Sequence, residues 1–243
     1  MKNIYSILAV CFTAIISVYI LGSAFKYRTK AAETITVTGL AEKEFTSDLI
    51  VWGGSFSRNA FTLKDAYALL KADEVAIRQY LNSKGIGDSS IVFSSVTMMK
   101  NFENKYDERG NQTSSVFSGY SLTGNVRVES KEIDRVEKLS REITELLEKG
   151  IELNSNTPEY YYTQLNELKI DLLANASADA KTRAETIAKN SGTGLKGLSK
   201  ASMGVFQITG KNVNELYSYG GTFNTSSKIK VASITLKVEY RVE

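Results

Sequence analysis

The sequence predicts an α+β fold: a mainly antiparallel sheet with about three helices packed on one face, plus an N-terminal transmembrane helix. Segments of period-2 apolar alternation arrive in pairs, and amphipathic helical segments separate the pairs, in the order β-β-α-β-β-α-β-α-β-β. The first 30 residues are unlike the rest, with an uncharged apolar run from Ile4 to Leu21. The chain therefore divides into residues 1–30, an N-terminal anchor (or signal sequence) with a basic flank, and residues 31–243, a single folded domain.

Thr34 to Thr38 alternates as a first strand, and Gly39 with the polar stretch Glu42 to Ser47 reads as a turn or bend. Asp48 to Arg58 follows as a strand rich in β-formers, with Trp52 a core residue. Thr62, with Asp65 three residues on, makes a capping-box-like start to the first helix. Lys84-Gly85 ends that helix with a basic last turn and a C′ glycine. Ile91 to Met98 is predicted as a strand, Asn101 to Gln112 as a loop or hairpin tip, and Ser115 to Val128 as a long partner strand. The second helix starts after Ser130, buries Ile133, Val136, Leu139, Ile143, Leu146 and Leu147, and stops at Lys149-Gly150. Ile151 to Thr163 reads as a strand in which Pro158 marks an edge or bulge. Gln164 to Asn190 is the longest helix, with alanines on one side that permit close packing on a sheet. Strands at about Ser199 to Thr209 and Lys228 to Val242 flank a Gly/Ser/Tyr-rich loop from Lys211 to Ser227.

As a helix, the run containing Ile4, Leu8, Phe12, Ile15, Ile16, Ile20 and Leu21 nearly spans a bilayer core, which needs roughly 20 residues. The rivals are a cleaved signal, for which Gly22-Ser23-Ala24 loosely suits the peptidase, and a buried core helix. Signal h-regions run only about 7–15 residues. The aromatic and basic belt Phe25, Lys26, Tyr27, Arg28 and Lys30 also favours an anchor. Those same basic residues, counted against Lys2 and the amino terminus, favour a cytoplasmic domain.

Composition excludes several kinds of chemistry. The net charge of +3 comes from the anchor, since residues 31–243 hold 26 basic and 27 acidic residues, so nucleic acid is not an expected partner. There is no histidine, which removes Ser-His-Asp and Cys-His catalysis and imidazole metal sites. The single cysteine, Cys11, lies in the apolar run, so the domain has neither a thiol nucleophile nor a disulfide. No catalytic residue, cofactor or metal ligand is assigned. Glu142, Glu145 and Glu148 share a helical stripe, but interspersed Lys138, Arg141 and Lys149 make it a solvated face. Asp107, Glu108 and Asn111 lack EF-hand spacing.

Three segments carry a family likeness. They are Ile35-Thr-Val-Thr-Gly39 with Asp48 opening the next strand, Leu81-Asn-Ser-Lys-Gly-Ile86 before the strand at Ile91, and Ala176-Ser-Ala-Asp-Ala-Lys-Thr-Arg-Ala-Glu-Thr-Ile-Ala188 followed by Asn190-Ser-Gly192 and Leu195-Lys-Gly197. In this order the chain resembles the SIMPL domain family (DUF541) over about residues 34–242. The resemblance implies a bacterial cell-envelope protein, periplasmic or membrane-attached. Some relatives are linked to oxidative-stress defence and some form ring-like oligomers, and the family brings no catalytic motif. It also implies that the domain faces the periplasm from the inner membrane, against the basic-residue count.

Two aromatic segments suit protein contacts. Tyr160, Tyr161 and Tyr162 must alternate between faces of a strand, and Tyr217, Tyr219 and Phe223 sit in the Gly/Ser/Tyr-rich loop. Packing at a sheet edge and a disordered loop is the plainer account of both. The expected function is a non-catalytic, membrane-anchored envelope domain acting through homo-oligomerisation or an envelope protein partner. A membrane-tethered enzyme with an unrecognised carboxylate site is the alternative.

Overall fold

The computed structural model describes residues 12–24 and 33–243. Residues 12–24 form helix α1. The domain then runs β1 (Thr34–Thr46), β2 (Leu49–Ala60), α2 (Leu63–Ser83), β3 (Ile91–Phe93), β4 (Thr97–Tyr106), β5 (Gln112–Ser130), α3 (Ile133–Glu142), β6 (Leu153–Ser155), β7 (Glu159–Tyr161), α4 (Leu165–Asn190), β8 (Leu195–Met203), β9 (Gln207–Gly210) and β10 (Ile229–Val242).

The fold is α+β with antiparallel strand pairing, but it has two sheets where one was expected. The first has the order β1-β10-β8, with β9 also paired to β10. The second has the order β3-β5-β2-β6, with β4 also on β5 and β7 also on β2. Each owns a core. Val37, Ala41, Phe45, Ile234 and Leu236 of the first sheet pack on the Leu168–Leu172–Ala176–Ala180–Ala184 stripe of α4. Ile50, Trp52, Phe56, Val126 and Val128 of the second pack on α2 and α3 through Leu70, Ile77, Leu81, Val136 and Leu139. Trp52 is fully buried there, and its indole N–H donates to Ser155 Oγ at 2.9 Å.

The division lies at Ser47-Asp48. The Ser47 amide donates to the Lys228 carbonyl at 2.9 Å, continuing the β1–β10 ladder. The next amide, Asp48, donates to the Tyr161 carbonyl at 3.0 Å and opens the β2–β7 ladder. The Asp48 carboxylate also accepts from the Thr163 amide at 2.7 Å and its hydroxyl at 2.5 Å. With these bonds made, β1 and β2 cannot fold back on each other as a hairpin.

Several boundaries differ from the sequence expectation for local reasons. β1 does not turn at Gly39 but continues to Thr46, because Ala41 and Phe45 keep its inward parity and Lys43 reaches Asp171 of α4 at 2.6 Å. The expected strand Ile91 to Met98 is two pieces, β3 and β4, paired to different stretches of β5. The expected tip at Asn101 to Gln112 is narrower: β4 runs to Tyr106, and Asp107 Oδ1 closes the turn by accepting the Arg109 and Asn111 amides at 2.9 and 2.8 Å. Ile151 to Thr163 is also two strands, separated by a gap that contains Pro158, which has no N–H to donate. Ser199 to Thr209 splits into β8 and β9.

The helix ends follow their sequence signals. Thr62 Oγ1 accepts the Asp65 amide at 3.2 Å. α2 closes as a Schellman motif, with the Gly85 amide on the Asn82 carbonyl and the Ile86 amide on the Leu81 carbonyl, and Gly85 at φ +86°. Beyond α3 the chain tightens to a 3₁₀ turn, Ile143–Lys149, and ends at left-handed Gly150. Arg58 of β2 ties these pieces together. It holds the buried Asp73 of α2 at 2.5 and 2.9 Å and donates to the Gly150 carbonyl at 2.7 Å.

Among the described residues no helix is long and apolar enough to cross a membrane. Phe12, Ile15, Ile16, Ile20 and Leu21 lie on α1 with exposed side chains, and Ile4 and Leu8 lie outside the described residues.

The alanine stripe of α4 lets β1 approach closely. A Cβ on Gly39 would clash with the Ala176 carbonyl oxygen and lie 2.7 Å from the Ala180 amide nitrogen, both backbone atoms. Gly39→Ala is expected to cost about 2–4 kcal/mol of stability by pushing α4 off the sheet. Urea unfolding followed by circular dichroism checks this, and a change below about 0.5 kcal/mol would contradict the close-packing account.

Candidate interaction site

The loop between β9 and β10 is held from beneath by buried polar side chains. Gln207 opens β9 on the face it shares with Ser233, opposite the α4 core, where its Oε1 accepts the Thr222 amide at 2.9 Å and the Ser218 amide at 3.3 Å. Its Nε2 donates to the Ser218 carbonyl at 2.8 Å. Farther along, the buried Asn224 donates through Nδ2 to Glu215 Oε1 and accepts the Ser227 amide at 2.8 Å. Glu215 Oε2 in turn accepts the Gly210 amide at 3.1 Å. The backbone adds Ile208 N to the Thr222 carbonyl and Asn224 N to the Ile208 carbonyl, at 2.7 and 2.9 Å.

Lys230 is the least expected member. On β10 it shares inward parity with Ala232, Ile234, Leu236 and Val238, and it is 1% exposed. Its ammonium donates at 2.5 Å each to the Tyr160 carbonyl on β7 and the Asn224 carbonyl in the loop. It also lies 5.7 Å from the Phe223 ring centre. Burial pushes its pKa down to about 8, and the Glu215 carboxylate opposes that fall. Tyr160 reciprocates with its amide on the Thr225 carbonyl at 2.7 Å, so loop and second sheet are joined through both strand and side chain.

The clamped loop holds apolar groups outward. Leu216 is 86% exposed, Tyr217 is exposed and Tyr219 fully so. Beneath them lies a cleft of about 320 Å³ lined by Leu40, Val205, Gln207, Tyr217, Ser233 and Thr235 among others, with no charged side chain. Ser233 Oγ donates to the Tyr217 hydroxyl at 3.3 Å.

The tyrosine triplet divides between structures. Tyr160 packs on the second sheet's core, and burial, with Glu137 beside it, pushes its phenol up to about 12. Tyr162 packs on the first core with its ring 4.9 Å from Phe45. Tyr161 is half-buried, donates to Glu159 at 2.8 Å and lies 6.4 Å from the Phe223 ring. Tyr161 and Phe223 therefore meet, Tyr217 and Tyr219 form a separate exposed pair, and Tyr160 and Tyr162 fasten β7 to the two cores.

Of the helical stripe Glu142, Glu145 and Glu148, the first two share a structural partner. Glu142 and Glu145 clasp Lys84 at 3.1 and 3.0 Å, and their hydrogen bonds hold its pKa well above the ordinary lysine value. Tyr80 donates to Glu145 at 3.1 Å. Among the described residues no group of three or more His, Cys, Asp or Glu could hold a metal ion.

A family description, SIMPL, a protein of unknown function (DUF541), matches residues 35–243, which is the whole two-sheet domain. The chain belongs to the SIMPL family. No curated protein matches it. In this SIMPL domain the motif helix Ala176 to Ala188 includes the stretch of α4 that packs on Gly39 of β1, and the Gly192 that follows caps it at φ +70°. The family likeness thus marks the packing of the first sheet, while the polar clamp lies outside the motifs that identified it. Its one sequence signal was Lys230, a cation at an apolar parity position of the last strand.

Lys230 gives the clamp a pH signature. Its folded pKa lies below that of the unfolded chain, about 10.4, so the unfolded chain binds more protons between these values. Its contribution to stability should therefore rise as pH increases from about 8 to about 10.5. Urea midpoints of the protein and of Lys230→Met across that range test this. The difference should move in favour of the native protein with pH, and a constant difference would contradict burial of the charged amine.

Proposed function

We propose that this SIMPL domain is a non-catalytic cell-envelope module that acts by binding a protein partner or further copies of itself. The observation that carries this reading is the clamped loop. Gln207, Asn224 and Lys230 are buried beneath it while Leu216, Tyr217 and Tyr219 are turned to solvent. Aromatic side chains held in place lose little further entropy on binding, and exposed tyrosines above an uncharged cleft have the composition of the centre of an interface.

In this proposal the N-terminal helix tethers the domain to the inner membrane and the domain faces the periplasm, where it serves envelope or oxidative-stress protection. The uncharged run from Ile4 to Leu21, the basic and aromatic flank after it, and a thiol-free domain support that placement.

Two measurements test the two halves separately. With Cys11→Ser removing the native thiol, Ser226→Cys places a cysteine at an exposed position. A membrane-impermeant maleimide should label it in intact cells whose outer membrane has been made permeable, and labelling only after lysis would overturn the envelope assignment. Native mass spectrometry of detergent-extracted protein should show a defined complex that Tyr217→Ser/Tyr219→Ser loses. Folding stability should change by less than about 1 kcal/mol, because both rings are exposed. Retention of the same complex by that variant would refute the loop as the binding surface.

A further inference from the structure

Sheet edges offer unpaired backbone groups, and most proteins defend them with charge, bulges, brevity or proline. Three of the four edges here follow that rule. β8 carries Lys196 and Lys200 and meets β10 with two register shifts. β4 carries Lys100, Glu103 and Lys105. The β6–β7 edge consists of two three-residue strands with Pro158 between them. β1 is the exception. From Thr34 to Ala41 it has no charge and no proline, and its register with β10 is unbroken.

The ladder determines which groups face outward. Ser47 N to Lys228 O, and Val242 N to Glu33 O, assign the odd-numbered residues of this strand to β10. The even-numbered amides point away, as Leu40 confirms by donating to Asp179 Oδ2 of α4 at 2.9 Å. The same side chain is held by Arg183 at 2.8 Å. Beyond that plug, the outward amides and carbonyls of Thr36 and Thr38 have no hydrogen-bond partner among the described residues. They face a cleft of about 580 Å³ between β1 and the flank of α4, lined by Thr36, Val37, Thr38, Thr182, Arg183, Thr186 and Ile187.

We propose that a second copy of this chain occupies this edge, joining the two first sheets about a two-fold axis at Val37. The strand is complementary to itself in that register. Thr36 of one copy falls opposite Thr38 of the other, each such pair exchanging both of its backbone hydrogen bonds, and only the open groups are used. The threonine side chains meet across the strands on the outer face. On the α4 face, half-buried Ile35 falls opposite Gly39, over which Ala176 and Ala180 of α4 pack. The register stops where Asp179 already holds Leu40. Shifting the axis to Gly39 would require the blocked Leu40 amide, and shifting it to Ile35 would pair Thr34 with Thr36 at the very start of β1 and leave the open groups of Thr38 without a partner in the strand. Neither Thr36 nor Thr38 lines the loop cleft, so the proposal does not depend on the role given to Tyr217 and Tyr219.

The test uses the full chain in detergent with Cys11→Ser. Residues of a hydrogen-bonded pair lie about 5.5 Å apart at Cα, within disulfide range, whereas a residue and its own symmetry mate at position 36 or 38 are farther apart. The double variant Thr36→Cys/Thr38→Cys should oxidise to a covalent dimer, and either single variant should do so at least tenfold less. Equal cross-linking by the single variants, or none by the double, overturns the register. Separately, Thr38→Pro removes an outward amide that makes no bond within the monomer. By sedimentation its dimer should be at least tenfold weaker than that of Thr38→Val, with the same far-UV circular dichroism. Should Thr38→Pro fail to fold, Thr36→Pro serves in its place. A dimer that survives the proline substitution, or a native chain that remains monomeric, refutes the proposal.

Discussion

Two neighbouring amides, Ser47 and Asp48, set the architecture by serving different sheets. A peptide unit is rigid, so when successive N–H groups are committed to Lys228 and Tyr161, the strands on either side must diverge. The Asp48 carboxylate reinforces the divergence through Thr163, immediately before α4. The long-range pairs β1–β10 and β2–β7 therefore share one corner, and each sheet can bury its own helix set. Two separate cores follow from a two-residue junction. Tyr160 and Tyr162 do the reverse on the other side of this corner, placing one ring in each core.

The loop between β9 and β10 is anchored to the same corner by Lys230. An ammonium moved from water to an apolar interior is strongly disfavoured unless it is fully hydrogen-bonded. Here two carbonyls and an aromatic face surround it, and the carbonyls belong to β7 and to the loop itself. Replacing the lysine with an apolar residue would leave those carbonyls without a donor. The charge thus acts less as a source of stability than as a device that permits one loop position. Gln207 works in the same way through neutral hydrogen bonds, since its amide matches both the donors and the acceptor of the Ser218 to Thr222 backbone.

Much of the α+β plan was legible because the helices carry strong local signals. Thr62, Gly85, Gly150 and the alanine stripe of α4 each act within a few residues of where they stand. What local signals could not supply was partner choice. Nothing in Ser47-Asp48 states that its two amides bond to residues more than a hundred positions away. The early end assigned to β1 failed for a related reason: Glu42, Lys43 and Glu44 look like a turn until Asp171 of α4 is brought beside Lys43. The aromatic residues of the loop were visible, whereas the clamp beneath them was not, because Gln207, Glu215 and Asn224 converge only after β9 and β10 have paired. Lys230 alone could have been noticed, from its parity.

Natural sequences are consistent across levels, with apolar residues inward and polar residues outward, and departures tend to gather where function competes with folding. This domain has one dense departure. Between Met203 and Lys230 the arrangement is inverted: Gln207, Asn224 and Lys230 are buried, while Met203, Val205, Leu216, Tyr217, Tyr219 and Phe223 are exposed. An inversion of this kind destabilises on both counts, by desolvating polar groups and by leaving apolar surface in water. The two halves are nevertheless coupled, since the buried amide and ammonium fix the backbone that carries the exposed rings. A loop needed only to connect β9 to β10 could have been short and polar, because those strands pair antiparallel over Lys230 to Ser233 and need no long crossing. The extra length and its clamp therefore belong to what the loop presents rather than to the connection it makes.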